Sequence, residues 1–310
     1  MIDQNPWWRR REAITEDKHL IKLKESSIKW EPRIRHTFNL NADMVYTLRG
    51  PRQVGKTTLL KLMIEELLIK YEVDPRSVLY FTCDLINDPE ELVDILQYYN
   101  ETIRPKTKAR SYIFLDEISS VKEWQKAIKY LSDTNRLVNT TIILTGSHTI
   151  DIKRAYERLP GRRGSLNHLN DTPDKILLPM KFVEYAETLS KDLYEVILKM
   201  DILRGERRKE LVQEICAGTI PDEINELNLY EKDIKPLLES YLITGGIPLA
   251  VDEYMRTGKI SESVYRIYAD SVLGDIIRWD KKESYLRQIL RRVFETIGNP
   301  ISWNTLKENT

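Results

Sequence analysis

The sequence predicts an α/β protein in which helices cover a parallel sheet on both faces, and two observations carry that prediction. From Met44 onward, short β-branched and aromatic runs alternate with stretches of helical periodicity, which is the pattern of a parallel sheet. The first such run leads into residues 50–58, which read GPRQVGKTT and open a helix. These residues satisfy the phosphate-loop pattern G-x-x-x-x-G-K-[ST]. We therefore expect a three-layer fold with a phosphate site where the first strand meets its helix.

The phosphate loop lies between a predicted strand at 44–48 and a helix that begins at Lys56. Glycines in such a loop let backbone N–H groups surround phosphate oxygens at a helix N-terminus. Lys56 is expected to place its charge on the β- and γ-phosphate oxygens, and the Thr57 hydroxyl is expected to ligate Mg²⁺. The alternative is a glycine-rich turn that binds nothing. The predicted nucleotide-binding residues of the loop are Gly50, Pro51, Arg52, Gln53, Val54, Gly55, Lys56, Thr57 and Thr58.

Composition argues against several other classes of protein. The 310 residues include 48 basic and 48 acidic side chains, so the net charge of zero gives no global attraction to nucleic acid or to an anionic membrane. Apolar runs are far shorter than the roughly 20 residues of a membrane span, and the charged N-terminus does not resemble a signal peptide. We expect a cytoplasmic protein without membrane contact. Cys83 and Cys216 have no metal-ligand spacing, and no structural disulfide is expected.

A pair of acids supplies the second half of the predicted site. A second strand is predicted at 78–83, and a third at 112–115 ends in Asp116 and Glu117. Magnesium-dependent phosphoryl chemistry needs one carboxylate in the metal's shell and a neighbour that polarises the attacking water, which we assign to Asp116 and Glu117 in that order. The alternative for Asp116 is an N-cap or turn acid. The capping-box pattern of 120–123 predicts that the next helix starts there.

Polar and basic residues follow the fourth predicted strand, at 141–144. Ser147 at the end of this strand is expected either to reach the γ-phosphate or the attacking water, or to cap the next helix. Arg162 and Arg163 lie between Gly161 and Gly164 in a turn-rich run, where they project from a loop. Their alternative is a solvated face that pairs with surface acids. The run at 176–180 predicts a fifth strand.

The ordered motifs GPRQVGKTT, FLDEI, LTGSH, LPGRRG and ILLPMKFVEYAETL resemble the AAA+-like P-loop ATPases common in archaea and bacteria. The resemblance covers roughly residues 1–283. It implies a five-stranded parallel sheet with the phosphate-loop strand at its centre, a helical lid subdomain and then a winged helix. It also implies ATP and Mg²⁺ as ligands. The family's functional residues carry over onto Lys56, Thr57, Asp116, Glu117 and Ser147, and the family's arginine onto Arg162 or Arg163, acting in cis or in trans.

We expect four segments along the chain: an N-terminal strap at 1–42, a P-loop ATPase core at 43–180, a helical lid subdomain at 181–283 and the opening of a helix-turn-helix at 284–310. In the strap, Trp7 or Trp8 is expected beside the nucleotide base, with Trp8 as the assigned residue. The alternative is a surface segment that packs its tryptophans on the core. The helix-turn-helix stops before a recognition helix, so its DNA-reading part is absent or the chain is a piece of a longer protein.

Two functions from different classes remain open. The first is an ATPase that couples ATP hydrolysis to lid movement or to assembly into a homo-oligomer. The second is a nucleotide-gated switch that holds ATP with slow turnover and presents its C-terminal helices to DNA or to a protein. A small-molecule kinase is disfavoured because adjacent acids such as Asp116 and Glu117 suit water activation.

Overall fold

A computed structural model describes residues 1–105, 109–146, 152, 172–278 and 282–298. The chain divides into two units, Met1–Gly258 and Lys259–Thr310. The described strands are β1 (Val45–Arg49), β2 (Val78–Thr82), β3 (Ser111–Asp116), β4 (Thr140–Gly146) and β5 (Asp174–Ile176). The described α-helices are α1 (Lys18–Glu25), α2 (Lys56–Glu65), α3 (Pro89–Tyr98), α4 (Trp124–Asp133), α5 (Phe182–Leu189), α6 (Lys191–Lys199), α7 (Gly205–Cys216), α8 (Asp222–Leu227), α9 (Glu231–Thr244), α10 (Pro248–Thr257), α11 (Glu262–Arg278) and α12 (Glu283–Glu295).

The five strands form one sheet in the order β2-β3-β4-β1-β5, and every pairing is parallel. The predicted α/β fold with a parallel sheet is confirmed. The resemblance implied that the strand leading into the phosphate loop is central, and this was wrong. The middle strand is β4, and β1 lies between β4 and β5. This order brings the carboxyl end of β3, with its acid pair, to the same edge of the sheet as the phosphate loop after β1.

Alternation along the strands creates the three layers. On β3, Tyr112 and Phe114 pack into one buried cluster together with α1, α2 and the N-terminal segment. Ile113 and Leu115 point to the other face and pack with α3 and α4. Because both faces are covered, all six residues of β3 are buried, which is the apolar pattern expected of a parallel strand.

Two predicted boundaries were wrong. The capping-box pattern at 120–123 does not start a helix, because α4 begins at Trp124 after Glu123 takes a left-handed conformation, with a φ of 50°. The Lys122 amide instead donates to the carbonyl of Asn87, a tertiary contact that the local pattern does not contain. The fifth strand is Asp174–Ile176 and not 176–180, because the chain leaves the sheet once the Leu177 amide has bonded the Arg49 carbonyl.

The N-terminal residues seal the outer edge of β2. The Asn5 side chain is fully buried and pairs with both backbone groups of Tyr80, at 2.7 and 2.8 Å. The Trp7 and Trp8 indoles both donate to the Val78 carbonyl, and the Gln4 side chain accepts the Thr82 amide. An edge strand otherwise exposes such backbone groups to water or to another chain. The segment is thereby an integral part of the sheet's border.

Arg35, later in the N-terminal segment, is bonded to the carboxylate of Glu66 at the end of α2. Glu66 lies just past α2 and accepts hydrogen bonds from Arg35 and Lys70 at 2.8 Å each. Burial by itself would raise the pKa of Glu66, but the bonds and charges of Lys70 and Arg35 outweigh it and hold the pKa at about 2. An acid whose pKa is depressed by folding stabilises the fold above its unfolded pKa, and that stabilisation is lost as the pH falls toward the folded value.

We expect Glu66→Gln to lower the free energy of unfolding by about 1.5 to 3 kcal/mol at pH 7, since hydrogen bonds to charged groups carry that magnitude. The difference from the wild type should shrink as the pH falls from about 4.5 toward 2, because Glu66 then takes up a proton in the unfolded wild-type chain before it does so in the folded protein. Urea unfolding at pH 7 and pH 3 measures it, with the exposed Glu72→Gln as control. A constant difference across this pH range would contradict the assignment.

The second unit contains α11 and α12. On α12, Leu290 and Phe294 are exposed. Residues 299–310, which carry most of the predicted helix-turn-helix opening, lie outside the described residues. Within the described ranges, no helix has both the length and the apolar character that a membrane crossing requires. Both cysteines are free, and Cys83 is buried.

Candidate functional site

The phosphate loop joins the end of β1 to the first turn of α2. Gln53 and Gly55 have φ angles of 58° and 102°, and Gly55 directly precedes Lys56, the first residue of α2. A side chain at Gly55 is disfavoured by that backbone conformation. Gly50 is needed for another reason, since a Cβ there would collide with the carbonyl oxygen of Leu177. The two glycines therefore fix the path that brings the loop's amides to the N-terminus of α2.

Lys56 is buried within the loop that it follows. Its Nζ donates to the carbonyls of Gly50 and Pro51 at 3.0 and 2.9 Å. The ammonium group is thus held against the loop backbone at the start of α2, where the helix dipole also favours an anion. Phosphate oxygens are stronger acceptors for an ammonium group than backbone carbonyls, because a charge-assisted hydrogen bond is roughly twice as strong as a neutral one.

The carboxylate of Asp116 connects the phosphate loop to the sheet. It is 3% exposed and lies at the carboxyl end of β3. Its Oδ2 accepts the Thr57 hydroxyl at 2.7 Å and the Tyr80 hydroxyl at 2.9 Å, while its Oδ1 accepts the Thr145 hydroxyl. Asp116 is therefore not an N-cap or turn acid, because all three donors are side chains of other elements.

Glu117 follows Asp116 in a left-handed conformation with a φ of 51°. That conformation turns the chain at the end of β3, so that the two consecutive acids have different surroundings. Asp116 is buried, whereas Glu117 is half-buried and lines a cleft beside the phosphate loop. The Glu117 amide donates to the Thr145 hydroxyl at 3.3 Å, so Thr145 contacts both acids. This arrangement suits one structural carboxylate and one that faces a ligand.

The cleft has a volume of about 560 Å³, which is within the range of small-molecule sites. Three walls surround it: the phosphate loop with α2 and Glu117, the N-terminal segment from His19 to Pro32, and one side of α10. The lining residues from the first wall are Gln53, Val54, Gly55, Lys56, Thr57, Thr58, Leu59, Leu62 and Glu117. The cleft lies wholly within the unit Met1–Gly258.

Half of the lining residues on the N-terminal wall of the cleft are apolar, with Leu23, Ile28 and Trp30 among them. The Trp30 indole is 8% exposed, and its Nε1–H is buried without a hydrogen-bond partner among the described residues. Burial lowers the pKa of His19 on the same wall, so the imidazole is neutral near pH 7. A neutral ring and an aromatic surface of this kind suit a planar ligand group more than a charged one.

The third wall brings opposite charges to the cleft. Asp252 on α10 accepts hydrogen bonds from the Ser26 hydroxyl and from the Ser27 amide and hydroxyl, each at 2.7 Å, and it pairs with Arg256 one helical turn further on. Burial would raise the pKa of Asp252, but the serine hydrogen bonds and the charge of Arg256 outweigh it and hold the pKa below its usual range. The ionised Asp252 therefore ties the N-terminal segment to α10.

The structure brings together the loop residues, Asp116 and Glu117, but it does not bring Trp8 to them. The Trp8 ring stacks on Tyr99 at 6.2 Å, and neither Trp7 nor Trp8 lines the cleft. This corrects the expectation of Trp8 beside a base in favour of its alternative, in which the tryptophans pack on the core. Ser147, Arg162 and Arg163 lie outside the described residues.

Several residues of the cleft, and one beside the acid pair, were missed by sequence reasoning. The N-terminal segment does reach the cleft, but through 19–32 and not through the tryptophan pair at 7–8. For Arg256 the sequence offered one signal: it stands one helical turn after Asp252, in the helix that starts at Pro248. Thr145 lay in the polar run at the end of β4, where Ser147 had been preferred.

The donor set fits Mg²⁺ as this ion is bound beside phosphates. Among the described residues there is no group of three or more His, Cys, Asp or Glu side chains that would hold a metal ion by itself. Magnesium beside phosphates typically has one or two protein ligands and keeps several waters. The Thr57 hydroxyl bonded to the buried Asp116 carboxylate provides such a limited set of oxygen ligands.

Part of the chain matches a family model, and several solved structures resemble the chain at low sequence identity. Residues 42–186 match a family model described as an AAA domain. The similar solved structures include a Walker-type ATPase of Pyrococcus abyssi, with 16% identity, coverage of 96% of this chain and 88% of that chain, and a TM-score of 0.44. They also include the Aeropyrum pernix Orc1 protein in complex with DNA, with 13% identity, coverage of 97% and 80%, and a TM-score of 0.35. No curated protein matches the chain significantly.

Proposed function

We propose that this chain binds Mg-ATP and hydrolyses it. The match of residues 42–186 to an AAA domain supports this proposal. The nucleotide's phosphates lie on the loop and the first turn of α2. Lys56 binds the β- and γ-phosphate oxygens, Thr57 and Asp116 hold Mg²⁺, and Glu117 polarises the attacking water. When bound, Mg²⁺ neutralises charge on the β- and γ-phosphate oxygens.

The hydrogen bond between the Thr57 hydroxyl and Asp116 carries this proposal. It joins, at 2.7 Å, two residues that stand 59 positions apart and belong to the two motifs that phosphoryl chemistry requires. The carboxylate is buried and held by three side-chain donors, whereas Glu117 faces the cleft. One acid thus suits the metal's shell, and the next one is accessible to a water beside the γ-phosphate.

The base of the nucleotide is proposed to pack on the N-terminal wall. Leu23, Ile28 and Trp30 supply an apolar surface, and the buried Trp30 N–H has no hydrogen-bond partner among the described residues. A heteroaromatic base can pack one of its flat faces on this apolar surface. This role replaces the one that had been expected of Trp8.

Coupling of nucleotide state to movement of the helical region is proposed through α10. Asp252 ties α10 to Ser26 and Ser27, and Arg256 on the same helix lines the cleft. A bound nucleotide that contacts the loop, the N-terminal wall and Arg256 links three elements that are distant in the sequence. Hydrolysis of the nucleotide changes the negative charge near Arg256. The position of α10 is therefore proposed to differ between the nucleotide states.

The alternative is a switch that holds ATP with slow turnover and presents its C-terminal helices to DNA or to a protein. The exposed apolar side chains of Leu290 and Phe294 on α12 support the protein partner of this alternative. Assembly into a homo-oligomer, with Arg162 or Arg163 reaching a neighbouring subunit's γ-phosphate, remains part of the ATPase proposal.

The test is phosphate release measured against protein concentration, with Mg²⁺ or with a chelator, and with or without DNA. A Mg²⁺-dependent turnover well above the roughly 10⁻³ to 10⁻⁴ s⁻¹ of slow nucleotide switches supports the ATPase. A rate per subunit that rises with concentration supports a site shared between subunits. Tight nucleotide binding with turnover at the slow level favours the switch, and absence of nucleotide binding contradicts both.

A further inference from the structure

Tyr80 contacts the proposed magnesium carboxylate but has no role in the function proposed above. It lies on β2, the strand next to β3, and its hydroxyl donates to Oδ2 of Asp116 at 2.9 Å. Oδ2 is also the atom that accepts the Thr57 hydroxyl. The other donors to Asp116 belong to the phosphate loop and to the end of β4, so Tyr80 alone connects this carboxylate to the edge strand among the described contacts.

The N-terminal segment holds the backbone of Tyr80, and a lysine of α2 contacts its ring. The buried Asn5 side chain binds the Tyr80 amide and carbonyl. The Nζ of Lys61 on α2 lies 3.4 Å from the centroid of the Tyr80 ring and 3.2 Å from the carboxylate of Asp17, the N-cap of α1. Two separate parts of the N-terminal segment therefore fix the position of one tyrosine.

The chemistry of this arrangement favours donation by the phenol. An ionised carboxylate only accepts hydrogen bonds, so in the 2.9 Å contact the Tyr80 hydroxyl is the donor and Oδ2 of Asp116 the acceptor. A cation over an aromatic face withdraws electron density from the ring, which strengthens the O–H as a donor. Burial lowers the pKa of Lys61, and the ion pair with Asp17 opposes that change.

We infer that Tyr80 is a positioning residue for the magnesium site: its hydroxyl orients the Asp116 carboxylate beside Thr57, and Asn5, Lys61 and Asp17 hold Tyr80 in the position that allows this. The inference rests on the proposed Mg-ATP site. It gives the N-terminal segment a role at the metal end of the nucleotide, in addition to its wall beside the base.

A carboxylate rotates readily about its χ2 torsion unless its oxygens have fixed partners. Without the Tyr80 hydroxyl, Oδ2 keeps only Thr57 as a donor, and Thr57 is itself the proposed metal ligand. The Asp116 carboxylate then has fewer contacts that are independent of the metal. Loss of such an outer partner typically weakens metal affinity about 10- to 100-fold. Nucleotide affinity without metal depends on the loop and Lys56 and should not change.

The experiment compares the wild type with Tyr80→Phe, which removes the hydroxyl and keeps the ring under Lys61. A fluorescent ATP analogue is titrated with a chelator present, and its affinity is then followed as Mg²⁺ is added. We expect unchanged affinity in chelator and a Mg²⁺ concentration for half-maximal effect that is about tenfold higher in the variant. Neither readout depends on hydrolysis.

Tyr99→Phe is the matched control. Tyr99 is buried as Tyr80 is, and its hydroxyl donates to the Arg76 carbonyl at 3.0 Å, away from Asp116. A general loss of rigidity would change both variants, whereas a positioning role changes Tyr80→Phe alone. If Tyr80→Phe does not fold, Lys61→Met keeps the buried stem but removes the cation over the ring, and we expect its Mg²⁺ requirement to rise in the same direction.

The outcomes separate this inference from the proposed function. If wild-type affinity responds to Mg²⁺ and Tyr80→Phe has the same half-maximal concentration, the positioning role is wrong while the Mg-nucleotide site stands. An equal change in Tyr80→Phe and Tyr99→Phe also overturns the positioning role. If the wild type binds no nucleotide, or binds it without any response to Mg²⁺, the proposed function itself fails.

Discussion

Replacement of Lys56 by alanine is expected to remove most of the nucleotide affinity while the phosphate loop keeps its backbone path. The ammonium group is buried at the start of α2 and bonded to the carbonyls of Gly50 and Pro51. Loss of one partner from a buried charge pair costs about 2 to 5 kcal/mol, which corresponds to roughly 30-fold or more in the dissociation constant. Calorimetric titration with ATP and Mg²⁺ measures the change.

The loop path should survive because glycine and left-handed geometry determine it. Gly50 meets the Leu177 carbonyl, and Gly55 has a φ that side chains disfavour, so neither feature depends on the lysine. A melting temperature close to that of the wild type checks this point. Lys22→Ala is the control, because Lys22 also lines the cleft but lies outside the loop, on α1. Unchanged ATP affinity in Lys56→Ala, or an equal loss in Lys22→Ala, would remove the loop from the proposed site.

The loop and the acid pair could be predicted from the sequence because their signals are local. The phosphate-loop pattern requires its strand and helix to be adjacent in the chain, and the acids follow directly after an apolar strand. The bond between Thr57 and Asp116 then follows from parallel strands that end at one edge of the sheet. Both features were predictable because the role of each residue follows from its immediate neighbours in the sequence.

The other walls of the cleft could not be derived in that way. Trp30 and Arg256 stand far apart in the sequence, in segments that lack any local motif, and only the folded chain brings them to the phosphate loop. The same holds for Tyr80, whose contact with Asp116 depends on the pairing of β2 with β3. Trp8 was expected beside the nucleotide base, but a tryptophan pair near a chain terminus can equally pack on an edge strand. Here the Trp8 indole donates to the Val78 carbonyl of β2.

Local signals also fail where a tertiary contact competes with them. The pattern at 120–123 has the residues of a capping box, yet the Lys122 amide bonds to Asn87 and the helix begins at Trp124. The apolar run at 176–180 has strand character, yet Asp174 is drawn into β5 by its paired bonds with Arg49. In both cases the competing partner lies dozens of residues away in the sequence. The segment alone therefore cannot predict the contact.

Glu117→Gln is expected to have the second large effect, with nucleotide binding retained and hydrolysis lost. Glu117 lines the cleft beside Lys56 and Thr57, whereas Asp116 is buried and bonded to three side chains. The amide of glutamine has the same size as the carboxylate but cannot take a proton from water. General-base groups typically contribute about 10²- to 10⁴-fold to a rate, and the variant should lose a factor in that range.

Glu123→Gln provides a control with the same change of side chain. Glu123 also has a left-handed backbone, with a φ of 50°, but it is exposed and pairs with Lys126 at 2.6 Å. If an acid in this conformation mattered only for the fold, both variants would behave alike. We expect Glu117→Gln to bind Mg-ATP with wild-type affinity and to release almost no phosphate, while Glu123→Gln does both at the wild-type level. Hydrolysis by Glu117→Gln at the wild-type rate would mean that another group activates the water; Glu25 and Asp252, on the other walls of the cleft, would then be the next carboxylates to replace.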